Sequence, residues 1–325
     1  MNRFTLSLPA TSPGREPADQ RPGRPTRLDA LTRDLELSAE QRDGLLAAHL
    51  PLCRWIARRR RELGRPIVVG VNGAQGSGKT TFCQMAQVLL EELDGARVCG
   101  LSIDDLYLGS AARQELAARV HPLFATRGVP GTHDVPLGLE LLARLRDPDA
   151  GEVPIPAFDK AVDDRLPEAR WSKAQAPADV IILEGWCVGM PDQADEALEA
   201  PVNGLEARED SDGVWRRHVN GALRGPYAEL FGQIDVLIFL QVPGWESVRG
   251  WRRLQEEKLR RRRPDASALL GDEALERFLM HYERLTRHAL AELPERADVV
   301  CRLGDDHRIT ELCSRRPWVD EDSIP

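Results

Sequence analysis

The stretch GVNGAQGSGKTT, Gly70 to Thr81, overlaps the end of an apolar run, PIVVGV (66–71), and decides how the chain is read. Gly73-x4-Gly78-Lys79-Thr80 fits the phosphate-binding loop pattern without a mismatch, and it lies where that loop belongs, between a predicted strand and a predicted helix. Glycines let the backbone wrap closely round phosphate oxygens with N–H groups turned inward. The start of the following helix adds its positive end. The lysine is informative because the chain has few: Lys79, Lys160, Lys173 and Lys258 stand against forty arginines. A compact ammonium on a flexible stem can follow the outer phosphates, where a planar guanidinium fits less well. Gly73, Ala74, Gly76, Ser77, Gly78, Lys79, Thr80 and Thr81 are therefore the nucleotide-binding candidates, with the Thr80 hydroxyl as a Mg2+ ligand.

Composition narrows the classes. The chain has 325 residues, 42% hydrophobic and 30% charged, which suits a soluble globular protein. No run of eighteen apolar residues exists, so no membrane span is expected. A net charge of −8 argues against a general nucleic-acid binder. The six cysteines are scattered without a CxxC pair, as buried reduced thiols in a cytoplasmic protein would be. Residues 1–37 are rich in Pro, Gly, Ser and Arg and are expected to form a disordered tail. The remainder, 38–325, reads as one domain. It opens on a capping box, Ser38 and Gln41, followed by an amphipathic stretch to Leu63 that Pro51 is expected to split into two helices.

Five continuous apolar runs follow, at 66–71, 96–103, 179–185, 235–242 and 298–303, with helical patterns between them. Continuous runs indicate strands buried on both faces. The expected fold is α/β: a P-loop NTPase fold with a five-stranded parallel sheet flanked by helices and a helical lid.

A phosphate loop alone does not name an activity. A GTPase would carry an NKxD-type segment, and none is present. A motor would usually end its third strand in Asp-Glu, whereas this one ends IILEGW, with Glu184 before Gly185. The second strand ends LSIDDLYLG. Carboxylates at the carboxyl end of a parallel strand face the ligand crevice. A kinase needs one there to take the acceptor's proton and aim its oxygen. Asp104 and Asp105 are the candidates. Glu184 is the candidate partner of Mg2+ or its waters.

These motifs together resemble a known family. GSGKTT, SIDDLY (102–107), GVPGTHD (128–134), FDK with DR and Trp171, IILEGW and WRRLQEE look like the D-glycerate 3-kinases of the plant and fungal type. That family belongs to the phosphoribulokinase, uridine kinase and pantothenate kinase branch of P-loop kinases. The resemblance spans roughly Pro66 to Leu303. It implies ATP-dependent phosphorylation of D-glycerate to 3-phosphoglycerate with Mg2+, Lys79 and Asp104 as catalytic residues, and Asp104 as the base. It places Asp105, Tyr107, His133, Asp134 and Arg165 on the acceptor. Between FDK and DR the family usually has a longer Gly-containing loop; here the segment reads AVDDR and is several residues shorter. Pantothenate or nucleoside kinase, or a non-catalytic ATP-binding protein, are the alternative readings.

The basic stretch WRRLQEEKLRRRRPD (251–265) lies on a predicted helix. In this branch such a helix, here about 245–270, acts as a lid whose arginines reach the phosphates. Arg249, Arg253 and Arg260 fall on one side at 100° per residue, and Arg252 is the further lid candidate.

Overall fold

The computed structural model describes residues 3–8, 26–262 and 271–318. In chain order the first elements are β1 (Phe4–Ser7), α1 (Arg27–Asp34), α2 (Ala39–Leu63), β2 (Ile67–Gly73), α3 (Lys79–Asp94), β3 (Val98–Ser102), α4 (Ser110–Arg119) and α5 (Val135–Arg146). Four short strands follow, β4 (Glu152–Ile155), β5 (Phe158–Asp159), β6 (Asp164–Arg165) and β7 (Ser172–Gln175), then β8 (Val180–Gly185). The remainder is α6 (Gly204–Glu209), α7 (Val214–Ala222), α8 (Ala228–Phe231), β9 (Val236–Gln241), α9 (Trp245–Arg262), α10 (Asp272–Arg296), β10 (Val299–Leu303) and β11 (Ile309–Ser314).

The five expected runs form the parallel part of the sheet, β3-β8-β2-β9-β10. Their residues alternate between two cores. Ile67, Val69 and Val71 pack on one side of the sheet with Val180 and Ile182, while Val68, Ile181 and Leu183 pack on the other. This two-sided burial is why the runs are continuously apolar. Two antiparallel strands extend the sheet beyond β10, first β11 and then β1.

Two expectations are corrected. The segment 1–37 was expected to be a disordered tail, yet Phe4–Ser7 is a strand paired with β11 and Arg27–Asp34 is a helix. Thr26 and Asp29 supply that helix with a reciprocal capping box, which satisfies its first N–H groups. Residues 9–25 of the segment lie outside the described residues, as do 263–270 of the expected lid. Pro51 does not divide α2. The helix runs unbroken through it, because His49, Leu52, Trp55 and Ile56 are buried and their packing outweighs one missing hydrogen bond. All six cysteines are free and buried, as expected. Among the described residues no helix is long and apolar enough to cross a membrane.

Candidate active site

The carboxyl ends of β2, β3 and β8 converge on one crevice. β2 ends in the phosphate loop, and α3 starts at Lys79 with Gly78 before it in the left-handed region (φ +82°). Gly76 is also left-handed, at φ +77°. A Cβ on Gly73 would sit 2.6 Å from Ser77 Oγ and 2.9 Å from Lys79 Cγ, so the loop closes only with glycine there. Lys79 Nζ folds back to the Ala74 carbonyl at 3.2 Å. Ser77 Oγ is buried without a hydrogen-bond partner, and α3 begins without a side-chain cap. A helix start and hydroxyl left unsatisfied, beside an ammonium, are the donor set a polyphosphate fills. The loop therefore fits ATP.

Glu184 stands between the other two strand ends, in register with Val71 of β2 and Ser102 of β3. Thr80 is exposed on the first turn of α3. Among the described residues no cluster of three His, Cys, Asp or Glu could hold a metal by itself. One carboxylate and one hydroxyl suit Mg2+, which keeps its waters and leans on nucleotide phosphates.

After β3 the chain turns through Ile103–Leu106, with Ser102 Oγ accepting from the Asp104 N–H. The two aspartates that follow differ sharply. Asp104 accepts from Lys160 Nζ at 2.6 Å and from the Tyr107 hydroxyl at 2.9 Å. Burial pushes its pKa up, but the Lys160 charge and hydrogen bond, helped by His133 and Tyr107, outweigh burial and hold it below the usual carboxylate value. Asp105 is the opposite case. Burial raises its pKa, and the charges of Asp104 and Glu184 add to the effect despite a hydrogen bond from Phe158 N–H. That bond, at 3.1 Å, ties the β5–β6 hairpin over the crevice. Two neighbouring carboxyls with environments that push them apart are the pattern of separated acid–base roles.

The other expected acceptor residues form the frame around Asp104. Tyr107 is buried and stacks on His133 with ring centres 4.5 Å apart. The Tyr227 hydroxyl receives the Gly131 N–H at 3.0 Å and lies 2.5 Å from His133 Nδ1. Burial depresses the His133 pKa to about 4, so the ring is neutral near pH 7. Nε2 is buried and has no hydrogen-bond partner. Asp134 caps α5 through Leu137 N–H, and its other oxygen receives both terminal nitrogens of Arg165 at 3.2 Å. Arg165 also donates to the Tyr107 carbonyl at 3.0 Å. Its terminal nitrogens are thus engaged with the chain itself.

The lid arginines part company. Arg249 and Arg253 both pair with Glu276 of α10. Arg260 is exposed. Arg252 pairs at 2.8 Å with Glu256, which is buried on the inner side of α9. Trp251 packs against the phosphate loop, 3.2 Å from where a Gly76 Cβ would lie.

Three further residues at the crevice were not singled out from the sequence. Lys160 is one; the scarcity of lysine that marks Lys79 marks it equally. Arg127 pairs with Asp163, the turn residue of the shortened hairpin. Tyr282, from α10, fits under Gly128 beside Trp186. Burial pushes its pKa well up, and the charges of Asp104, Arg127 and Arg252 all reach it. Nothing local marks Arg127 and Tyr282, whose partners come from distant parts of the chain.

Gly128 has φ +140°, and a Cβ there would lie 2.2 Å from the Tyr282 hydroxyl oxygen. Gly128→Ala is expected to destabilise the fold by about 1–3 kcal/mol, read as a lower denaturant midpoint with an unchanged slope.

No protein-family model matches the chain. It is 31% identical over 244 residues to a fission-yeast protein, the uncharacterized kinase mug58, spanning 71% of this chain and 83% of that protein. It is 26% identical over 225 residues to the chloroplastic D-glycerate 3-kinase of Arabidopsis thaliana, spanning 67% of this chain and 46% of that protein. The chain belongs to this family of P-loop kinases. A solved structure of D-glycerate 3-kinase from Cryptococcus neoformans shares the kinase's fold, with a TM-score of 0.67 at 24% identity over 82% of this chain and 97% of that one. The protein is thus an ATP-using phosphotransferase with a hydroxyl acceptor on a small molecule.

Proposed function

We propose that this kinase phosphorylates D-glycerate to 3-phosphoglycerate, with Asp104 as base. The observation that carries the reading is the ionised Asp104, held by Lys160, in a crevice whose Tyr282 also feels the cationic charges of Arg127 and Arg252. Asp104 takes the proton of the acceptor hydroxyl and aims its oxygen. Lys160 and Arg127 lie at the same hairpin and suit an acceptor that carries a carboxylate close to its hydroxyl. His133 Nε2, buried without a partner, is available to hydrogen-bond a hydroxyl of the acceptor. Lys79 and the loop N–H groups hold the nucleotide phosphates, and Thr80 and Glu184 hold Mg2+. When bound, Mg-ATP supplies the transferring phosphoryl group and the cation that neutralises its charge. Arg252 is the lid residue placed to meet that charge: it pairs with Glu256 on the inner side of α9 and its charge reaches Tyr282, whereas Arg249 and Arg253 are held by Glu276 of α10.

The wall of the crevice favours a small acceptor. Phe158 is buried, with the guanidiniums of Arg113 and Arg127 5.6 and 5.5 Å from its ring and the Tyr107 ring at 5.3 Å, so it offers no open face to a nucleobase. The shortened turn is pinned by both arginines to Asp163, which closes the space a longer acceptor such as pantothenate needs. Steady-state ADP release on D-glycerate, L-glycerate, pantothenate and uridine tests the assignment. D-glycerate is expected to give the highest kcat/KM; turnover of another compound with none of D-glycerate would refute glycerate and leave the kinase.

Lys160 gives the reading a separate handle. Lys160→Met is expected to lower kcat/KM for D-glycerate by about 10–100-fold, the worth of a charged hydrogen bond in such a site. It also removes the attraction that lowers the Asp104 pKa while burial remains. The acid limb of the kcat/KM profile is expected to move to higher pH in the variant.

A further inference from the structure

Behind the Tyr107–His133 wall, on the side away from the β5–β6 hairpin, the surface opens into a cleft of 980 Å3 between α4, the start of α5 and α7. Its charge is unusual for a protein of net charge −8. Arg119 lines it from α4, and Arg217 and His218 line it from α7. Arg217 donates to the Asp212 carbonyl at 2.6 Å, and neither arginine has a carboxylate partner among the described residues. Burial lowers the His218 pKa and the Arg119 charge lowers it further, which marks the two as close neighbours. Glu115 is the one acidic side chain on the lining. Two guanidiniums lining one concavity match a small dianion; a single carboxylate would leave one arginine unused.

The cleft wall also belongs to the active site. Tyr227 and His133 both line it. Tyr227 is bonded to His133, His133 is stacked on Tyr107, and the Tyr107 hydroxyl is bonded to Asp104. We propose that this cleft is a second anion site, one that takes a phosphate-bearing small metabolite and tunes Asp104 through Tyr227, His133 and Tyr107. The binding half stands independently of the acceptor; the tuning half rests on Asp104 being the base.

The test is calorimetric titration of the full chain with its phosphate loop filled by a non-hydrolysable ATP analogue. The titrants are inorganic phosphate and 3-phosphoglycerate, and the comparison is the Arg119→Ala/Arg217→Ala double variant. The expected result is binding to the parent that weakens by more than about tenfold in the double variant, with analogue affinity unchanged. Equal affinity for the two titrants identifies free phosphate as the ligand; tighter binding of 3-phosphoglycerate identifies a phosphorylated acid. No binding at millimolar concentrations, or equal binding by the double variant, overturns the site. For the tuning half, the titrant that binds is expected to change kcat in the parent and not in the double variant. Binding without any change in kcat overturns the coupling alone. If D-glycerate proves not to be the acceptor, the calorimetric result still stands or falls by itself.

Discussion

Asp104→Asn is expected to lower kcat by about 10²–10⁴ while ATP affinity holds, the usual worth of a positioned base. The amide keeps an oxygen for the Tyr107 hydroxyl, so the local frame survives. What it loses is the proton acceptor and the charge that Lys160 faces. Asp105→Asn is the control. Its amide oxygen can still receive the Phe158 N–H that holds the hairpin, and a loss well below that of Asp104→Asn is expected. Equal or greater loss at Asp105 would move the base one residue along. The physical ground for Asp104 is the split between the two carboxyls. One is lowered by an ammonium, against its own burial, and the other is raised by burial and two neighbouring charges.

Lys79→Ala is expected to cost at least about 10²–10³ in kcat, as removal of a preorganised donor from a charge-developing site does. The thermal midpoint should change little, because among the described residues Lys79 makes one hydrogen bond, to the Ala74 carbonyl. Lys79→Arg is expected to be nearly as poor. Its planar head is larger than the ammonium, and the loop is so tight that a Cβ on Gly73 would lie 2.9 Å from Lys79 Cγ. Normal turnover by a folded Lys79→Ala variant would remove the phosphate loop from the mechanism.

The parallel strands and the phosphate loop were legible because their signals are local. A run such as IVVGV announces two-sided burial, and a glycine pattern announces a backbone path. β11 and β1 were missed for the opposite reason. ITELCS has neither a continuous apolar run nor a clean alternation, FTLS is four residues long, and the pairing of β1 with β11 joins segments from opposite ends of the chain. The same distance explains the crevice. SIDDLY placed Asp104, but Lys160, 56 residues later, reaches it only through the hairpin that Asp105 ties down. Helical periodicity grouped Arg249 with Arg253 correctly, yet could not show that Glu276 of α10 faces them and that Arg252 turns inward to Glu256.

The central claim is that the Asp104 crevice moves the γ-phosphoryl group of ATP to a hydroxyl of D-glycerate. Phosphorus NMR of the purified protein with Mg-ATP and D-glycerate tests it most directly. The account predicts loss of ATP matched by equal amounts of ADP and a phosphomonoester on the primary hydroxyl, 3-phosphoglycerate, with neither formed by Asp104→Asn on the same timescale. ADP accompanied by inorganic phosphate with no ester, or an ester that Asp104→Asn makes as fast as the parent, would contradict it.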